Sequence, residues 1–149
     1  MLITDRRGDH CLLGRKSIWP GGRYSALAGF TEVGETLEQT VMRETYEEAG
    51  VRVDPLSLRM IASQPWPFNS SLMIGYRGTC AGEGLPTVDF DAEEMQDVKW
   101  FSKKEVRAGL QGGSTALGDW KPSEQEAILH FPGVSSMARV LITQWCNEE

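Results

Sequence analysis

The sequence predicts an α+β fold, an α/β/α sandwich in which helices pack against a mixed central sheet. Three observations carry that expectation. Apolar, β-prone segments lie on both sides of one strongly patterned helix. That helix carries signals for its start and its end. Beyond it the apolar period returns to that of strands, and the chain closes on two further helical patterns.

Residues 1–4 are apolar and β-prone, and Asp5-Arg6-Arg7-Gly8-Asp9 reads as a hairpin turn into Cys11-Leu12-Leu13. Trp19-Pro20-Gly21-Gly22 is a turn, and residues 24–29 read as a small-residue strand ending in glycine. Thr36 with Gln39 three residues on is a capping box. Leu37, Val41, Thr45 and Ala49 then form an i, i+4 stripe, and Gly50 sits where a helix-ending glycine belongs. Residues 51–53, 56–62 and 72–76 read as strands, interrupted by Asp54-Pro55 and by residues 63–71. An acidic connection, 88–94, leads to a short strand at 98–101. Ser102 with Glu105 is a second capping box, opening a helix to Leu110. Residues 111–122 read as a glycine-rich loop and 123–129 as a helical turn. Residues 134–145 read as a closing amphipathic helix with Met137, Val140, Leu141 and Trp145 on one side.

The 149 residues suit one domain spanning 1–149, and a 40% apolar, 24% charged composition is that of a globular protein. The net charge of −6 argues against a broad grip on nucleic-acid backbone. An acidic chain that binds an anionic substrate needs a cation between them. Cys11, Cys80 and Cys146 are far apart, and with only His10 and His130 to assist they give neither a disulfide framework nor a zinc site. No apolar run is long enough to span a bilayer, and no signal peptide or targeting tail is legible. An intracellular protein, cytoplasmic by default and without a membrane partner, is the expectation.

Glu44, Glu47 and Glu48 stand at i, i+3 and i+4, which crowds three carboxylates onto one helix face. Alone, that pattern describes a solvated acidic face. Here a loop bounded by Gly29 and Gly34 precedes the helix, Glu35 stands at its entrance, and Arg43 is positioned to hold a carboxylate. Close backbone approach beside hard oxygen ligands suits Mg²⁺ or Mn²⁺ carrying a phosphate.

Gly29, Glu35 and the run Arg43-Glu44-Thr45-Tyr46-Glu47-Glu48-Ala49-Gly50-Val51 resemble the Nudix box, G-x5-E-x7-R-E-U-x-E-E-x-G-U with U aliphatic. Chance agreement of its invariant letters is on the order of one in 10⁸ per start at average residue usage. Thr45 departs from the pattern, standing where the box prefers an aliphatic. Downstream, Ser63-Gln64-Pro65-Trp66-Pro67-Phe68-Asn69-Ser70-Ser71 is similar to the S-Q-P-W-P-F-P-x-S array of the NADH pyrophosphatase (NudC-type) subfamily, with Asn69 in place of the third proline. Its proline-flanked tryptophan predicts a stiff extended segment offering a flat aromatic surface.

The resemblance implies a Nudix fold with its box at 29–51 and a set of site residues. Glu44, Glu47 and Glu48 would bind metal and act in catalysis with Arg43, and Glu94 would be a further metal ligand. Ala28, Phe30, Gln64, Pro65, Trp66, Pro67, Phe68, Ser71 and Ala138 would bind substrate, with Phe30 placed to stack on a base. It also implies a homodimer. Bacterial members usually carry a zinc ribbon ahead of this domain, and the absence of such cysteines here reads as an excised catalytic domain or a shortened homologue.

The activity so implied is Mg²⁺- or Mn²⁺-dependent hydrolysis of an NAD(H)-type dinucleotide to AMP and nicotinamide mononucleotide. Glu47 and Glu94 are both candidates for the proton acceptor. Removal of an NAD cap from RNA is the same bond cleavage on a larger substrate, for which Arg6, Arg7, Arg15, Lys16 and Arg23 would be a local basic patch. A non-catalytic nucleotide sensor on the same scaffold would be expected to lose box acids, and none is lost here.

Overall fold

The computed structural model describes residues 1–19, 21–111 and 129–148, so the loop and helical turn expected at 112–128 lie outside the described residues. A five-stranded mixed sheet has the order β3-β4-β1-β2-β5, formed by β1 (Leu2–Thr4), β2 (His10–Arg15), β3 (Arg59–Trp66), β4 (Ser71–Thr79) and β5 (Asp97–Ser102). Its one parallel pair is β1–β4; β1–β2, β2–β5 and β3–β4 are antiparallel. The central strands are apolar on both faces because both faces are covered. Leu2, Cys11 and Leu13 point to one side, where α2 (Lys103–Gln111) contributes Val106 and α3 (Met137–Asn147) contributes Met137, Leu141, Ile142 and Trp145. Ile3 and Leu12 point to the other, where α1 (Leu37–Ala49) contributes Val41 and Ala49. The sandwich is α/β/α, as expected.

α1 starts on the predicted capping box: Gln39 N–H donates to Thr36 Oγ1, and the Gln39 side chain accepts from Thr36 N–H. It ends on Gly50 at φ 67°, whose N–H closes onto Tyr46 O. A side chain at Gly50 would be strained by that φ and would lie 2.8 Å from Asp89 O. Thr45 is fully buried where an aliphatic was expected, and its hydroxyl is satisfied by donating to Val41 O at 2.7 Å. The second capping box, Ser102 with Glu105, is also present.

Three expected elements are corrected. Residues 24–29 are not a strand: Gly14 and Ser25 exchange two hydrogen bonds, after which the segment leaves the sheet. Residues 51–53 reduce to a single bridge, Val53 to Cys80, because β4 ends at Thr79 and offers nothing longer to pair with. Residues 63–66 are not a spacer but the end of β3, which turns through Pro67–Asn69 and a left-handed Ser70 into β4. Pro65 is tolerated there because β3 is an edge strand. α3 also begins later than expected, at Met137, with Ser136 as N-cap.

One topological detail makes the cavity. β1 runs parallel to β4 but meets only Arg77–Thr79, so β4 from Ser71 to Tyr76 has no partner on that side. β2 outlasts β1 in the same direction and takes Ser25 instead. A wedge therefore opens between β4 and residues 25–31, roofed by α1 on one face and α3 on the other.

Candidate active site

The wedge is a cavity of about 380 Å³, at the small end of the range of about 300–1,000 Å³ usual for ligand pockets. Residues 25–31 and Ser71 to Ile74 form its walls, and Thr40, Val41, Met137 and Ala138 lie across its ends. Phe30 is 74% exposed and Leu72 60% exposed at its surface, two apolar side chains that a flat base can cover.

The acids of α1 stand beside it in very different surroundings. Glu47 is half-exposed, as a solvated acidic face would predict. Glu48, one residue on, is 1% exposed. Burial pushes the Glu48 carboxyl up to about 7, with Glu94 and Glu44 adding to the rise and Lys16 opposing it. Glu48 Oε2 is buried without a hydrogen-bond partner. Glu44 lies against the backbone of Gly29, where a Cβ would come within 1.8 Å of Glu44 Cδ and 2.1 Å of both carboxylate oxygens. That contact explains the glycine in steric terms.

Arg43 organises the cluster. Its Nε and Nη2 grip Glu35 bidentately at 2.6 and 2.9 Å, Nη1 reaches Glu44 at 3.0 Å and Glu47 at 2.9 Å, and Nη2 also reaches Phe30 O at 2.9 Å. All five guanidinium donors are thereby used. The Glu35 carboxyl is lowered to about 2, chiefly by Arg43 and then by the Glu32 N–H it accepts. Arg43 itself is held more firmly protonated than usual by the same bonds, Glu35 first. Glu35 was legible as a box letter at the helix entrance, yet its role as the anchor of Arg43 was not anticipated.

Glu94 is brought to the same place from the turn before β5, with Oε1 3.5 Å from Lys16 Nζ. Lys16, expected only as part of a basic patch, is placed beside the acids by this contact. The acids do not form a finished ligand set. Among the described residues no three carboxylates, histidines or cysteines stand together at metal-holding spacing, and Glu44 and Glu47 are both ion-paired with Arg43. The orphaned Glu48 oxygen and the close seat of Glu44 on Gly29 nevertheless fit a hard divalent cation.

The expected substrate residues divide. Ala28, Phe30, Ser71 and Ala138 line the cavity; Gln64, Pro65, Trp66 and Pro67 do not. β3 lies beyond β4, one strand further from the opening, so its side chains are displaced by about 4.8 Å. Gln64 is committed to the fold: its Nε2 donates to Ser135 O at 2.5 Å and its Oε1 accepts from Met137 N–H at 2.9 Å, tying down the start of α3. The expected basic patch is likewise divided. Arg6 and Arg7 sit in the β1–β2 turn, whereas Arg15 ends β2 and Lys16 and Arg23 lie past it, roughly 17 Å away along the strand.

The NUDIX domain profile matches residues 1–122, and the chain belongs to the Nudix family. It is 40% identical over 137 residues to the NAD-capped RNA hydrolase NudC of Mycobacterium bovis, covering 92% of this chain and 41% of that one. It is 42% identical over 146 residues to the mitochondrial NAD(P)H pyrophosphatase NUDT13 of Mus musculus, covering 97% of this chain and 39% of the relative. The chain thus spans about two-fifths of the length of these relatives. Among solved structures, a NUDIX-family hydrolase from Clostridium perfringens superposes with a TM-score of 0.60 at 18% identity, covering 98% of this chain and 92% of that one, a likeness of fold. Among the described residues no helix is long and apolar enough to cross a membrane.

Proposed function

We propose that this domain hydrolyses the pyrophosphate of an NAD(H)-type dinucleotide, giving AMP and nicotinamide mononucleotide. The observation that carries the reading is the acid pair itself: Glu44 seated on Gly29, with Glu48 buried behind it and one oxygen unsatisfied, beside an apolar cavity flanked by Phe30 and Leu72. The names of the relatives from M. bovis and mouse support the dinucleotide class.

Glu44 and Glu48, with Glu94 and Glu47 at the margin, are the residues that would hold Mg²⁺ or Mn²⁺. Such a cation supplies charge stabilisation on phosphate oxygens and a more acidic water. The chain's own residues do the rest. Arg43, locked by Glu35, fixes the bearing of Glu44 and Glu47. Glu47 engages one oxygen with Arg43 and Glu94 one with Lys16, and both are candidates to take a proton from the attacking water. Phe30 and Leu72 cover one base, and Ala28 and Ala138 leave room for the backbone of the site to approach the substrate.

NAD-cap removal from RNA is the second reading, favoured by the M. bovis relative's name and opposed by the division of the basic residues between the two ends of β2. A homodimer is part of the same proposal. The deciding experiment is a panel of NADH, NADPH, NAD⁺, ADP-ribose and NAD-capped RNA, with and without Mg²⁺ or Mn²⁺, read as release of nicotinamide mononucleotide, or of AMP in the case of ADP-ribose. Cation-dependent AMP release from NADH supports the proposal; tight NADH binding without it identifies a sensor.

A further inference from the structure

The sheet face opposite α1 carries a cationic cavity that the proposed reaction does not use. The ends of α2 and α3 are joined by reciprocal arginine contacts. Arg107 of α2 donates from Nε and Nη2 to Cys146 O at 3.3 and 2.9 Å, and Arg139 of α3 donates from Nη2 to Leu110 O at 3.4 Å. Between them lies a cavity of about 270 Å³, whose polar lining is Arg107, Gln111, Arg139, Thr143 and Asn147, with no carboxylate among the described residues.

Arg139 is the anomaly. It is 8% exposed, and it occupies the first turn of α3, the end of a helix that disfavours a cation. Its contacts are the one long bond to Leu110 O and the ring of Phe131 at 5.7 Å; among the described residues it has no ion pair. A guanidinium carries five donors, and helix capping explains one of them. A buried charge in that position is unfavourable until an anion compensates it.

We propose that the α2–α3 cavity binds a phosphate-sized oxyanion, free or as the phosphate of a nucleoside monophosphate, between Arg139 and Arg107. Planar guanidinium forks match the oxygens of phosphate in pairs, which a lysine lining would not do. Gln111, Thr143 and Asn147 add neutral donors around it. The site stands across the sheet from Glu44 and Glu48, so its occupancy is separable from catalysis.

The test is calorimetric titration of the chelator-treated protein with inorganic phosphate at constant ionic strength, repeated with AMP and with adenosine. Chelation removes any cation that would recruit phosphate to the acids of α1. The expected result is saturable phosphate binding that weakens at least tenfold in Arg139→Gln and in Arg107→Gln, with adenosine unaffected by either change. AMP binding tighter than phosphate and equally sensitive to Arg139→Gln assigns a monoester; equal affinities assign the free ion. Absence of saturable phosphate binding in the wild type, or phosphate binding unchanged in both variants, overturns the proposal. Should Arg139→Gln fail to fold, Arg107→Gln, at an exposed position, decides alone.

Discussion

Gly29→Ala separates the chemistry of this site from its stability. The new Cβ would lie 1.8 Å from Glu44 Cδ and 2.1 Å from both oxygens. To reach ordinary contact at 3.4 Å the carboxyl must retreat by about 1.6 Å, with side-chain torsions absorbing the move. That displacement exceeds the slack in the 3.0 Å bond from Arg43 Nη1 to Glu44 Oε1, so Glu44 leaves its seat. Misplacing a catalytic group by about 1 Å costs on the order of a hundredfold, so kcat/KM for NADH should fall by at least about that factor, roughly 2.7 kcal/mol of barrier. The fold should be spared. Gly29 is outside regular structure, and Ala reduces the freedom of the unfolded chain, which contributes about 0.4–1 kcal/mol of stability where the native φ is compatible. The assay is cation-dependent AMP release beside a thermal melt followed by circular dichroism. Wild-type turnover in a folded Gly29→Ala protein would refute the seating of Glu44 as the basis of activity; a melt lowered by many degrees would show that the glycine serves the fold.

Four further outcomes follow from named contacts. Glu48→Gln should reduce turnover by at least about a hundredfold while melting no lower than wild type after chelation, because it removes a carboxylate whose charged form burial disfavours; retained activity at saturating Mg²⁺ removes Glu48 from the ligand set. Glu35 has its folded pKa depressed to about 2, so its contribution to stability is complete above the ordinary carboxylate value of 4.5 and is lost as pH falls toward 2. Melts taken between pH 6 and 2 should therefore show a shallower acid limb for Glu35→Gln than for wild type, and superimposable limbs would contradict the Arg43 anchor. Gln64→Ala deletes two bonds to the start of α3, worth about 1–3 kcal/mol together, and should lower Tm by roughly 2–10 °C in a chain of this size; an unchanged Tm with weakened NADH binding would return Gln64 to the substrate site. Light scattering should give twice the chain mass of 16.6 kDa, and a strict monomer at micromolar concentration counts against the dimer.

The features legible in the sequence are those that act over a few residues. A capping box, an i, i+4 stripe and a terminal glycine determine α1, and the helical repeat then dictates that Glu44 and Glu48 share a face. The family letters are local for the same reason, and Thr45 could be flagged as their exception before its hydroxyl was seen bonded to Val41 O. Strand lengths were less legible, because a strand extends only as far as its neighbour. Residues 24–29 kept a single bridge because β1 occupies the rest of that edge of β2, while residues 63–66 gained a strand from the long β4.

Tertiary structure alone decided the environment of each acid. Spacing makes Glu47 and Glu48 near equivalents, yet tertiary packing buries one and leaves the other in water. Proximity of Lys16 to Glu94 and of Gln64 to Met137 joins residues 78 and 73 positions apart, and no local pattern encodes such pairs. The cavity, too, exists because two strands end at different places, a property of register. Residue identity and helical period therefore determined which groups are present on which face, whereas burial and long-range pairing determined what each of them can do.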